Sequence, residues 1–325
     1  MMPIPQPHWC DLTPSHAERD RRPAGLLLLW ILACVLANAG PVQADSARRL
    51  ADVPAALHAL AGRPRAFEFV GSGEKLPVGG HLQGIQMRYD AAAKAHTVFI
   101  SHDSLTEAYF VTVRFPESGS KAQPAAGKVE HLQRLPSDGK SPPLRHAGGI
   151  QLLGDVLAVG VEDNQAKLRS QIQFWDVSDS VQPRQLTHLT IARSSDVPQV
   201  ATAGAVGLAR SRDAFLLAVG NWDCRTIDFY RSNAKPLTDP DCRFELTSQW
   251  RADEADTSHW RPDSVRGTYQ AIHLLEDSGG RLCLLGFDTT PSEEDVVDVF
   301  AIDLGRPPAQ QFVKVARQSI RLADG

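Results

Sequence analysis

The sequence predicts an all-β chain: a β-propeller of four or five four-stranded blades, preceded by a signal peptide and a short helix. Three observations carry this expectation. One pattern recurs four times, with units starting near Gly84, Gly149, Ala205 and Ala271 at spacings of 65, 56 and 66 residues; self-similarity at a near-constant period marks a repeat architecture. Each unit divides into four strand-like runs bounded by turn residues. None carries the sustained helical period of an α/β fold. Sheets of four strands repeated around an axis make a propeller, which leaves only short sheet edges.

The leader comes first in the chain. Arg19, Arg21 and Arg22 precede an apolar run over 24–37, and the small-residue site Val42-Gln43-Ala44 follows. A basic flank, a short apolar stretch and small residues before a cut define a secretory signal. Residues 1–44 are therefore expected to be removed, and the mature protein to be periplasmic or secreted. Two variants stay open. One is an uncleaved membrane anchor, for which the run is short; the other is a lipid anchor at Cys34, in Ile31-Leu32-Ala33-Cys34. No other membrane contact is expected. Residues 45–64 are expected to form a helix and linker, with the helix over 46–60, and residues 65–325 the propeller.

Within each unit the runs are called A to D from the inside outward. The A runs begin at His81-Leu-Gln-Gly-Ile-Gln86, His146-Ala-Gly-Gly-Ile-Gln151, Gly204-Ala-Val-Gly207 and Tyr269-Gln-Ala-Ile-His273. The B runs, such as Val156-Leu-Ala-Val-Gly-Val161 and Phe215-Leu-Leu-Ala-Val219, are continuously apolar, as strands buried on both faces are. C runs alternate, as in Gln171-Ile172-Gln173-Phe174, which suits positions nearer the rim. The D runs fall at 128–135, 184–191, 242–250 and 311–322. Gly154-Asp155 marks a tight A–B turn. One run is surplus: Arg65-Ala-Phe-Glu-Phe-Val70 looks like a fifth D strand, implying either ring closure beside the C-terminal strands or a partial fifth blade.

The second unit carries a resemblance. His146-Ala-Gly-Gly-Ile150, Gly154-Asp-Val-Leu-Ala-Val159, Ile172-Gln-Phe-Trp-Asp-Val-Ser-Asp179 and Pro183-Arg-Gln-Leu186 together resemble one LVIVD repeat of bacterial secreted propellers. The other units keep less of the pattern. The resemblance implies propeller architecture and export, and it implies no reaction.

Charge and cysteine content narrow the function classes. The 325-residue chain has a formal net charge of −4, and removing the leader, with three Arg and three acidic residues, leaves that balance unchanged. A mildly acidic chain without a basic stripe lacks the footprint of a nucleic-acid binder. Three cysteines remain beyond the leader: Cys224, Cys242 and Cys283. Cys224 and Cys242 are expected at opposite ends of one hairpin, roughly 20 Å apart at ~3.3 Å per residue. A bridge needs about 7 Å between Cα atoms, so free thiols are expected. Cys283 lies in an apolar B run and reads as a small core residue.

In a propeller the D–A and B–C loops emerge on one face. There the repeats place His81 and His146 at D–A positions. At B–C positions they place Asp103, Glu162 with Asp163, Trp222 with Asp223, and Asp288. A ring of carboxylates suits calcium or magnesium, and a mix with imidazole suits a transition metal. Asp103, Glu162, Asp163, Asp223 and Asp288 are thus candidate ligands for a divalent metal. His81, His146, Asp103, Asp163, Trp222, Asp223 and Asp288 are candidate ligand-binding residues facing a channel. Equally, a terminal Asp often bonds its own turn, and a His at a repeat start often locks neighbouring blades. Trp175 reads as packed between blades. Glu254, Asp256, His259 and Asp263 lie in a long insertion over 251–268, and such insertions are functional or mobile. The nucleophile elbow, zinc helix, phosphate loop and Cys-x-x-Cys pair are all absent. The leading expectation is a module that binds a protein or small ligand through the channel-side face. A propeller hydrolase or lyase acting on a carbohydrate- or lactone-like substrate, and a structural envelope scaffold, are the alternatives.

Overall fold

The computed structural model describes residues 50–60, 69–70, 79–117, 126–261, 263, 265–289 and 295–320. The leader, residues 46–49 of the expected helix and residues 65–68 of the surplus strand lie outside the described residues. Helix α1 spans Val53–His58 and strand β1 Phe69–Val70. The first blade holds β2 (Leu82–Asp90), β3 (Ala95–His102), β4 (Tyr109–Pro116) and β5 (Gly127–Arg134). The second holds β6 (His146–Leu153), β7 (Val156–Glu162), β8 (Arg169–Asp176), β9 (Arg184–Gln185) and β10 (Ile191–Ser194). The third holds β11 (Ala205–Ser211), β12 (Ala214–Gly220), β13 (Thr226–Ser232) and β14 (Phe244–Arg251). The fourth holds β15 (Ala271–Glu276), β16 (Leu282–Thr289), β17 (Asp295–Ile302) and β18 (Phe312–Ile320). Hydrogen bonding runs outward from β2, β6, β11 and β15 in four separate sheets, each a meander apart from β1 and β9. The molecule is a four-bladed propeller.

The B strands sit where their composition sends them: every residue of β7 is buried. Gly154, at φ 59°, makes the two-residue turn between β6 and β7. Three blade interfaces are each filled by one apolar cluster. Phe99 and Phe110 meet Ile150 and Trp175 between the first and second blades. Phe174 and Leu189 meet Leu217 and Tyr230 between the second and third. Phe229 and Trp250 meet Phe300 and Phe312 between the third and fourth. Trp175 is accordingly a core residue, edge-on to Phe110 at 5.9 Å.

The fourth interface differs. Among the described residues its two walls belong to separate clusters. Cys283, Leu285, Val297 and Val299 of the fourth blade pack against Val53 and Leu57 of α1. Val111, Val113 and Val129 of the first blade pack against Phe69 of β1. The N-terminal segment thus contributes to both walls of the seam where the ring closes.

Three expectations need correction. The surplus strand neither joins the C-terminal strands nor starts a fifth blade: β1 pairs in parallel with β5, Phe69 opposite Gly127, as an outer fifth strand of the first sheet. The helix is shorter than 46–60 because Asp52, in extended conformation, caps it by accepting from the Ala55 N–H at 2.7 Å, with Pro54 in the first turn. The D run over 184–191 is broken by a 3-10 turn at Thr187–Leu189. Leu186 and Leu189 are both buried in one cluster. Residues three apart point to opposite sides of a strand, so the chain must turn to bury both.

Candidate functional site

β2, β6, β11 and β15 all start at the end of the ring that carries the D–A and B–C loops. There two inner strands have the same irregularity. β2 carries a bulge between Leu82 and Ile85, and β6 one between Ala147 and Ile150. A bulge re-aims the side chain beside it, and here Gln83 is brought between two imidazoles. Its Nε2 is 2.6 Å from His81 Nε2 and 2.9 Å from His146 Nε2. Each ring is backed by a carboxylate: His81 Nδ1 lies 3.3 Å from Asp103 Oδ1, and His146 Nδ1 lies 3.2 Å from Glu162 Oε1. Neither contact is a hydrogen bond, and the second leaves both atoms buried without a hydrogen-bond partner. The chemistry fixes the tautomers. An amide nitrogen only donates and a carboxylate only accepts. Both rings therefore carry their proton on Nδ1 and turn Nε2 lone pairs toward Gln83.

The carboxylates of this corner are held by backbone. Asp103 Oδ1 accepts the His81 N–H at 2.5 Å, and Glu162 Oε2 accepts the Ala203 N–H at 2.7 Å. Asp163 Oδ1 accepts from Gln165 and Ala166 in its own loop, both at 2.9 Å. His81 is exposed, while His146, Glu162 and Asp163 are buried.

The remaining sequence candidates stand apart from this chain of contacts. Trp222 is covered by the Lys167 ammonium, 3.5 Å from the ring centroid. Asp223, at φ 59°, accepts from Gln270 Nε2 at 3.4 Å. Asp288 accepts from Thr268 Oγ1 at 3.2 Å, and burial pushes its carboxyl above the ordinary range. No three His, Cys, Asp or Glu side chains among the described residues form a metal-holding group. Cys224, Cys242 and Cys283 are free and buried, and burial pushes the Cys224 thiol up to about 12.

The expected channel is closed. The inner strands touch at the axis: a Cβ on Gly148 would stand 2.3 Å from Gly204 O, and one on Gly84 2.6 Å from Ile150 N. Gln151 fills what remains. It accepts from Leu208 N and Leu274 N and donates to Leu274 O, each at 2.8 Å. Beside it Gln86 reaches His273, Nε2 to Nε2, at 2.7 Å. Sequence reasoning missed Gln83, Gln86 and Gln151. The signal for the latter two was present, since each follows a unit's opening His by five residues. With four blades there is no room at the axis, so such residues become struts across it.

The long insertion is part of the packing. Trp260 is buried and donates to Phe312 O at 3.0 Å. Asp263 accepts from Lys314 Nζ at 2.5 Å, and Asp256 bonds its own turn at Ser258. Arg266 donates to the carbonyls of Asp223 and Cys224 and lies over the rings of Trp250 and Tyr269.

Comparison with known proteins adds little beyond this geometry. No family model matches the chain, so the LVIVD resemblance gains no support, and no curated protein matches it. Solved structures similar to it include a GH93 α-L-arabinofuranosidase of Fusarium graminearum with arabinobiose, at 9% identity and TM-score 0.41, covering 73% of this chain and 66% of that one. An α-L-arabinanase of Penicillium chrysogenum complexed with arabinobiose has 9% identity and TM-score 0.39, with the same coverage. A sucrose-6-phosphate hydrolase from Lactobacillus gasseri has 10% identity and TM-score 0.36, covering 73% and 47%. Likeness at this level transfers neither residues nor activity.

Proposed function

We propose that this chain is an exported propeller that docks a partner protein through the end of the ring carrying the D–A and B–C loops. One observation carries the reading. Of the seven large apolar side chains that stand exposed among the described residues, Leu105, Val197, Val200 and Val265 all lie in loops at that end. Exposed apolar side chains gathered on one face mark an interaction surface. The axis of the ring is closed by its inner strands. The basic and apolar leader supports export. The test is a photo-crosslinking residue placed at Val197 or Val265, in the cell envelope, with Val181 at the opposite end as control. Adducts are expected at the first two and lost in a Val197→Asp/Val265→Asp chain. Equal adducts at Val181, or none anywhere, overturn the reading.

A second reading, a carbohydrate hydrolase, has one local feature in its favour. Asp288 lies on the same face with its carboxyl raised by burial, as a general acid requires. Turnover of chromogenic glycosides, arabinosides included, that disappears in Asp288→Asn would establish it; no turnover by the wild-type chain removes it.

A further inference from the structure

Six acidic side chains of the described protein are buried: Asp103, Glu162, Asp163, Asp228, Asp277 and Asp298. Three are neutralised by a basic side chain. Asp228 meets Arg193, Asp277 meets Arg281, and Asp298 meets both Lys314 and Arg317. The other three form no ion pair with Lys or Arg among the described residues, and all three lie at the loop end of the first two blades. Asp103 and Glu162 neighbour the imidazoles of His81 and His146, whose Nε2 atoms are occupied by an amide. Glu162 Oε1 and Asp163 Oδ2 are buried without a hydrogen-bond partner. Burying a carboxylate without a compensating charge is costly, and these three lack the basic partner that the other three have.

We propose that the corner is a divalent transition-metal site, with His81 Nε2 and His146 Nε2 as ligands and the Gln83 amide turned over to offer its carbonyl oxygen. Asp103 and Glu162 stand behind the two rings on their Nδ1 sides. Their oxygens lie 3.3 and 3.2 Å from the Nδ1 atoms without hydrogen-bonding them, and a small turn of each ring would make them the carboxylate partners that orient metal-bound imidazoles. The ring centroids are 6.5 Å apart, and both Nε2 atoms already address one point, the Gln83 nitrogen. The amide's two ends are nearly the same shape, so turning it exchanges two donated hydrogen bonds for one ligand oxygen. Two imidazoles and an amide oxygen suit zinc, copper or nickel; calcium and magnesium demand an all-oxygen shell. The site differs from the carboxylate ring expected from the repeats, because the acids sit behind the histidines. It is independent of the docking reading, whose crosslinks at Val197 and Val265 need no metal.

The test uses the untagged full chain, stripped with chelator and titrated with Zn²⁺, Cu²⁺, Ca²⁺ and Mg²⁺. One equivalent of Zn²⁺ or Cu²⁺ is expected to bind and raise Tm by several degrees, since a ligand selective for the native state stabilises it. The Cu²⁺ adduct is expected to show two imidazole nitrogens by electron paramagnetic resonance. His81→Ala removes an exposed side chain, so the chain stays folded. It is expected to weaken binding at least tenfold and leave one nitrogen. Equal stabilisation by Ca²⁺ and Zn²⁺, unchanged binding by His81→Ala, or no binding by the wild-type chain each overturns the proposal.

Discussion

At the scale of single residues, the buried charges divide the molecule into a finished part and an unfinished one. Lys314 is fully buried, 3.2 Å from the equally buried Asp298, which also accepts from the Tyr269 hydroxyl at 2.6 Å and from Arg317. Removing one partner of such a group leaves a charge without compensation. Lys314→Met is therefore expected to cost about 3 kcal/mol in urea unfolding, the low end of the usual range because Arg317 remains. Asp298→Asn/Lys314→Met together are expected to cost less than the single change. Neither Lys314 nor Asp298 was legible as a pair beforehand. They belong to different strands, and a Lys inside a D run looks like a solvated rim residue. His81, His146, Asp103 and Glu162 were legible because the repeat fixed their positions. Their grouping was not, since Gln83, which joins them, is placed by a bulge with no marker in the residue types beyond the Gly after it.

At the scale of elements, the apolar B strands and the alternating C strands could be read directly, because a strand's burial pattern is written in its own period. The errors came where an element takes its partner from far away. β1 has the composition of a D strand, yet it pairs in parallel outside the first blade's own D strand, β5. α1 is six residues long, too short to be stable alone, and owes its existence to the face of the fourth blade. Leu57 is 3% exposed there. Leu57→Ala is expected to destabilise the fold by about 2–4 kcal/mol, as in other buried sites, and thermal unfolding measures it. An Ala at Leu246, exposed on β14, is expected to change stability by less than ~0.5 kcal/mol. A loss at Leu57 no larger than at Leu246 would show that the seam does not depend on the helix.

At the scale of the whole molecule, acid sensitivity follows from half-buried histidines. His273 on the axis is pushed down to about 4 by burial. Burial also lowers His96 and His102 in the first blade. A histidine whose folded pKa is depressed lets the unfolded chain take up protons first. Its stabilising contribution is complete above about 6.5 and drains away as pH falls toward the folded value. For His273 the loss by pH 5 is about 2 kcal/mol. Unfolding free energies from urea titration at pH 7.5 and 5 are expected to differ by about that much more for the wild type than for His273→Gln. Identical pH responses of the two chains would refute the assignment. The four-bladed ring itself was readable from the repeat count; its closed axis was not, since closure depends on how near the four inner backbones approach.

The two-walled seam has a consequence for how the chain comes into being. His58 of α1 lies 3.2 Å from Gln318 of β18, 260 residues later. Blades grow as hairpins between neighbours in sequence, so the first three can assemble in the order in which they leave the ribosome. The helix has no surface to dock on until the last strand has followed it. Contacts of such long sequence separation form slowly, because loop-closure entropy must be overcome first. The earliest described segment of the chain is then the last to find its place, and the growing ring passes through a stage with one open flank.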